Sequence, residues 1–258
     1  MGIVLNQSAK NIAVTYFGFG IGAVNALFLY TSFLGKEYYG IVSFLLSASN
    51  IMMPLMAFGV HSTLIRFYSN YKEEKEKEHF LSFMLFMPLL LIIPVSLITY
   101  FGYDIIASWI LEDNPTVEPF LWLIPIIGLF MGYFEIFYAW VKVHMKSVLG
   151  NFISEVFVRI IVTVLLFSIY LGWIDKITFI YGIAGAYCFQ MLAMIIYAMY
   201  VKMPKLYFKI PQNYKDIFNY SFFIILSGSV AVLLLDFDKI MIPAYEEITK
   251  NGEYSVAI

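Results

Sequence analysis

The chain has 258 residues, of which 61% are hydrophobic, 19% aromatic and 13% charged, with a formal net charge of −2. Soluble domains carry nearer a quarter charged residues, so this composition excludes an ordinary water-soluble globular protein. Ten-residue stretches of alternating in and out side chains are missing as well, which speaks against a membrane β-barrel.

Seven apolar windows remain: 11–35, 38–65, 79–103, 119–141, 147–174, 177–201 and 217–235. Each is long enough to cross a hydrocarbon core of about 30 Å as a helix. The expected fold is therefore all-α, a polytopic membrane helical bundle. Of the 16 Lys and Arg residues, 11 fall on the N-terminal tail and on loops 66–79, 142–146 and 202–216. The positive-inside rule places that side, and the N-terminus, in the cytosol. The first apolar run is too long for a signal-peptide core and lacks a small-residue cleavage site, so it stays as a helix. Cys188, the single cysteine, lies within a membrane helix and has no intrachain partner.

Helix one, about 11–34, carries Gly18 and Gly22 with Ala26 one turn on, a small-residue face that lets a neighbouring helix approach closely. No strand precedes these glycines, so a phosphate-binding loop is disfavoured. Asn25 either lines a cavity or bonds a neighbouring helix. Helix two, about 38–65, contains Pro54 and brings His61 to the cytosolic interface, where solvation is expected. The run KEEKEKEH, 72–79, reads as a charge-balanced solvated loop. Helix three, about 80–103, holds Pro88 and Pro94, and helix four, about 119–141, holds Pro125; each proline predicts a kink.

Helix four also places Glu135 on the face of Gly128 and Gly132, roughly 10 Å from Lys142 at 1.5 Å per residue. In helix five, stepping by four gives Ser147, Asn151, Glu155, Arg159 and Thr163, one slowly winding polar stripe opposite Val, Ile, Leu and Phe. A bilayer charges roughly 2.5–3.5 kcal/mol for each central ionised residue. Two charges kept at that cost predict a wet cavity facing other helices. Glu155 lies roughly 13 Å from Lys146, so Glu135, Glu155 and Arg159 are expected to converge at similar depth. A buried ion pair that only fixes helix register is the alternative.

Helix six, about 177–201, is uncharged. The segment 202–216, four lysines interleaved with Leu, Tyr, Phe and Ile, reads as an interfacial connector attracted to anionic membrane lipids. Helix seven begins near Ile217 and ends around DFDKIMI. Asp236 and Asp238 then form a charged helix end with Lys239 as partner, or secondarily an ion-coupling pair. Gly40-Ile-Val-Ser43 opens helix two, and Gly252-Glu-Tyr-Ser255 holds the same place after helix seven. This echo predicts parallel repeats related by an axis along the membrane normal. The expected domains are a six-helix lobe over 1–201, the linker 202–216, and over 217–258 the start of a second lobe, so that the chain reads as a fragment.

The stretches 11–60 and 233–258 resemble the openings of the first and second lobes of bacterial polysaccharide flippases, in the multidrug/oligosaccharidyl-lipid/polysaccharide exporter superfamily. The resemblance implies two six-helix lobes around a cavity that opens alternately to each side. The implied cargo is an oligosaccharide on an undecaprenyl diphosphate carrier, moved across the inner membrane, with polysaccharide assembly enzymes as neighbours. On that reading Arg159, Glu155, Glu135, Asn151 and Asn25 bind substrate. A cation-coupled drug exporter of the same superfamily and an integral-membrane glycosyltransferase or polymerase are the alternatives. The only candidate acid pair for the latter is Asp236/Asp238, and the loops are too short for a catalytic domain. No catalytic set, metal, cofactor or nucleic-acid partner is predicted.

Overall fold

The computed structural model describes residues 2–111, 114–203, 205 and 209–257. Among the described residues all regular structure is helical, and seven helices are long and apolar enough to cross a membrane. The protein is a polytopic helical membrane bundle. Helix α1, Gly2–Val24, runs on as π-helical turns over Asn25–Leu34, and Gly35 (φ 87°) ends it, its N–H donating to the Tyr30 carbonyl. Its membrane-crossing part is Gln7–Leu34.

The second apolar window is not one helix. α2 spans Lys36–Met56 and α3 spans Val60–Tyr68, separated by Phe58 (φ 51°) and Gly59 (φ 61°) in left-handed conformation. A side chain at Gly59 would stand 2.6 Å from the Ser221 carbonyl, so a glycine is needed here both for its backbone angle and for close approach. Thr63 and Ser221 seal the same contact with hydroxyls 2.7 Å apart. His61, expected to be solvated, is partly buried with an Nδ1 that has no partner, because α3 packs into the bundle.

The run 72–79 is likewise no loop. α4 covers Glu74–Phe86, with Glu74 and Glu76 in its first turn, where the helix dipole favours acids. Glu78 is buried and pairs with Lys205 at 3.0 Å, and Glu74 pairs with Lys202 at 2.6 Å. Residues far along the chain thus turn this charged stretch into packed structure. Pro88 falls between α4 and α5 (Leu89–Leu111), and Pro94 lies inside α5. The tight helical turns of Pro115–Phe120 lead to α6, Leu123–Val143. Pro125 therefore sits in the first turn of α6, where a missing N–H costs nothing, rather than kinking a helix begun at 119.

α7 (Ser147–Phe152), a π-helical turn (Ile153–Phe157) and α8 (Val158–Tyr170) together form the fifth crossing. α9 spans Lys176–Val201, capped by Asp175, whose carboxylate accepts from the Thr178 N–H at 3.0 Å. That bond to its charged form holds the Asp175 carboxyl below its ordinary range. Residues 204 and 206–208 of the expected connector lie outside the described residues; its remainder is tied down by Lys202, by Lys205, and by Asn213, which accepts from the Tyr71 hydroxyl at 2.6 Å.

α10 runs over 32 residues, Tyr214–Tyr245, so Asp236 and Asp238 lie inside a helix and not at its end. The helix holds them because partners on α2 and α11 supply hydrogen bonds that the local sequence does not announce. α11, Ile248–Ala257, then lies along α2. A side chain on Gly40 would meet the Ile248 carbonyl, and one on Gly252 would meet the Lys36 carbonyl; in each case the carbonyl belongs to the residue four before the other glycine. Ser43 and Ser255 touch through hydroxyls 2.5 Å apart. These reciprocal contacts relate α2 and α11 by a local two-fold, at the residues whose sequence echo marks a repeat. The corner between α10 and α11 is clasped by buried Asn114, which donates to the Pro243 and Glu246 carbonyls (2.8 and 3.0 Å) and accepts from the Ile248 N–H (2.6 Å).

Two apolar cores result. One gathers Leu34, Ile41, Phe44, Phe120, Leu166 and Phe179; the other gathers Phe58, Leu64, Phe80, Trp140, Met194 and Ile217. Residues packed on the first core (Met131, Tyr187) and on the second (Met53, Phe134) together line the cavity that holds Glu135.

Candidate functional site

The polar stripe of the fifth crossing has a partner, and it is α1. Asn11 donates to the Ser147 hydroxyl (3.3 Å), while Asn151 donates to the Asn11 carbonyl (3.1 Å) and the Thr15 hydroxyl (3.3 Å). One turn on, a side chain at Gly18 would stand 2.5 Å from the Glu155 carbonyl and 2.7 Å from Arg159 Nη1, and one at Gly22 would stand 3.2 Å from Arg159 Nε. The small-residue face of α1 thus makes room for the guanidinium. Asn25 closes the stripe: its amide donates to the Arg159 carbonyl at 3.0 Å and its oxygen accepts from the Thr163 hydroxyl at 2.8 Å. Asn25 bonds the neighbouring helix and also lines a cavity, so both expectations for it hold at once.

Arg159 meets Glu155 at 3.4 Å, with about a third of each side chain exposed. Its Nη1 is nonetheless buried without a hydrogen bond. The pair is therefore in charge contact but outside hydrogen-bond geometry, which leaves the strongest donor of the bundle unsatisfied. Arg159 lines a cavity of about 130 Å³ with Gly22, Asn25, Tyr30, Ile183 and Tyr187.

Glu135 lies in an adjoining cavity of about 170 Å³, with Asn50, Ser154, Tyr187 and Gln190 among its walls. It has no ion pair or hydrogen bond among the described residues. Glu135 and Arg159 accordingly do not pair; they line separate cavities that share Tyr187 as a wall. Gln190 donates to the Ile153 and Ser154 carbonyls at 3.0 and 3.3 Å, capping oxygens of the π-helical turn. π-Helical turns thus fall on both helices at this place, one beginning at Asn25 and the other ending two residues before Arg159.

Asp236 accepts from Ser47 (2.9 Å) and Asn50 (3.2 Å) and meets Lys239 at 3.6 Å. Asp238 instead accepts from the Tyr254 hydroxyl at 2.6 Å. The two aspartates serve different helices. Asn50 is the link between Asp236 and the Glu135 cavity, so a polar belt runs from α10 through α2, α6 and α9 to α8 and α1. Sequence reasoning missed Ser47, Asn50, Ser154, Tyr187 and Gln190. The readable signal was Gln190, the one amide in a helix uncharged after Lys176, with Tyr187 one turn before it.

A multi-pass helical membrane protein with a polar belt between two apolar cores is the class this arrangement defines. The chain belongs to the polysaccharide biosynthesis protein family, which it matches over residues 4–258. No curated protein and no solved structure matches it.

Proposed function

We propose that the protein transports an oligosaccharide linked to undecaprenyl diphosphate across the bacterial inner membrane, with its N-terminus in the cytosol. The observation that carries this reading is Arg159, which lines a cavity inside a membrane bundle and whose Nη1, packed against Gly18, is buried without a hydrogen bond. A guanidinium in a poorly hydrated site suits a phosphate, through charge-assisted and bidentate hydrogen bonds. The loose contact with Glu155 keeps the charge tolerable while no cargo is bound. When a diphosphate enters, Arg159 shifts from Glu155 to the phosphate oxygens, and Asn25 and Asn151 hold α1 against α8 during the exchange. Asp236, joined to Asn50, Ser47 and Lys239, is the place where ion coupling would act, and Asp238 supports it through α11. Family membership favours this over a drug exporter, for which an arginine in the cavity is an obstacle.

The test is Arg159→Ala in cells that depend on this protein for surface polysaccharide. Polysaccharide output is expected to be lost while the protein stays inserted at normal level. Normal output from that variant would rule the role out.

A further inference from the structure

We infer that the Glu135 cavity is a saccharide subsite, which receives the first pyranose ring of the cargo beside the diphosphate at Arg159. The inference rests on the proposed function and deepens it. Among the described residues the Glu135 carboxylate, the Ser154 hydroxyl and the Tyr187 hydroxyl have no hydrogen-bond partner, yet all three residues line one cavity. Gln190 spends its amide nitrogen on backbone carbonyls, so its oxygen is the group left over. The set therefore offers a carboxyl and an amide oxygen as acceptors, and two hydroxyls that both donate and accept. A sugar ring presents the complement, hydroxyls that each donate one proton and accept others.

Of the remaining walls, Met53, Met131 and Phe134 are apolar and suit the C–H faces of a pyranose, while Asn50, whose amide nitrogen goes to Asp236, adds an amide oxygen as a further acceptor. At about 30 Å³ per water, the space of about 170 Å³ holds roughly six waters, the bulk of one ring rather than of a disaccharide. Tyr187 borders both cavities, so a phosphate at Arg159 and a ring at Glu135 are neighbours, as a glycosyl diphosphate requires.

The experiment measures binding of farnesyl diphosphate, bare or carrying one glucose, galactose or N-acetylglucosamine, to the purified 258-residue chain in detergent. At least one glycosylated probe is expected to bind tighter than the bare one by about tenfold, the worth of one or two ordinary hydrogen bonds. Glu135→Ala is expected to erase that increment while leaving bare farnesyl diphosphate binding as it was, which also shows that the variant is folded. If no sugar tightens binding, if the increment survives Glu135→Ala, or if Glu135→Ala weakens the bare probe equally, the saccharide subsite is overturned. Bare-probe binding that survives Arg159→Ala brings down the underlying reading instead.

Discussion

Gly18→Ala probes the packing of α1 on the Arg159 site, and Gly20→Ala is its internal control. The new methyl at 18 would stand 2.5 Å from the Glu155 carbonyl oxygen and 2.7 Å from Arg159 Nη1, whereas at 20 nothing lies within 4 Å. The first obstacle is backbone, so α1 must retreat by roughly 1 Å, an overpacking cost of about 1–3 kcal/mol. Both substitutions share the helix-propensity gain of about 1 kcal/mol over glycine. Their difference therefore isolates the overpacking. Converted at about 2–4 °C per kcal/mol, Gly18→Ala should melt roughly 2–12 °C below Gly20→Ala. Intrinsic tryptophan fluorescence of the purified protein in detergent reads this directly. Because α1 retreats from the helix that carries Arg159, Gly18→Ala should also cut polysaccharide output, and Gly20→Ala should not. Equal melting temperatures would refute the packing of α1 against the guanidinium.

The remaining predictions concern the far end of the chain. Asn114→Ala removes the partner of the buried Pro243 carbonyl and Ile248 N–H, at about 1–3 kcal/mol for each buried group left unpaired, and releases the more exposed Glu246 carbonyl to solvent. It should lower the melting temperature and open the 245–248 corner to protease; unchanged cleavage there would contradict the clasp. Cysteines at Ser43 and Ser255, in a Cys188→Ala background, should cross-link under mild oxidant, since the two hydroxyls stand 2.5 Å apart and disulfides need Cβ atoms about 3.5–4.5 Å apart. A double variant that stays reduced would show that α2 and α11 do not meet in this register.

Much of this site is legible from spacing alone. Five polar residues at four-residue steps mark one face of the fifth crossing, and Gly18, Gly22 and Ala26 mark the small-residue face of the first. The glycine–serine echo likewise marks α2 and α11, because close backbone approach allows little but glycine. What spacing cannot give is azimuth. Glu135 and Arg159 share a depth, which predicted their convergence, but they line two separate cavities with Tyr187 of α9 as a common wall. The π-helical turns are invisible locally too, since the carbonyls of Ile153 and Ser154 find their donor in Gln190, more than thirty residues on. The same cause hid the start of α4: Glu78 reads as a solvated charge until Lys205 arrives to pair with it.

The account turns on whether position 159 meets water inside the membrane. In a Cys188→Ala background, single cysteines at Arg159, at Val164 inside the same crossing (59% exposed) and at exposed Lys72, outside the crossings, can be treated in permeabilised membranes with a charged, membrane-impermeant thiosulfonate reagent. Modification of Arg159→Cys, slower than that of Lys72→Cys but with Val164→Cys left unmodified, is the predicted result. A cysteine at 159 as inert as the one at 164 would contradict it.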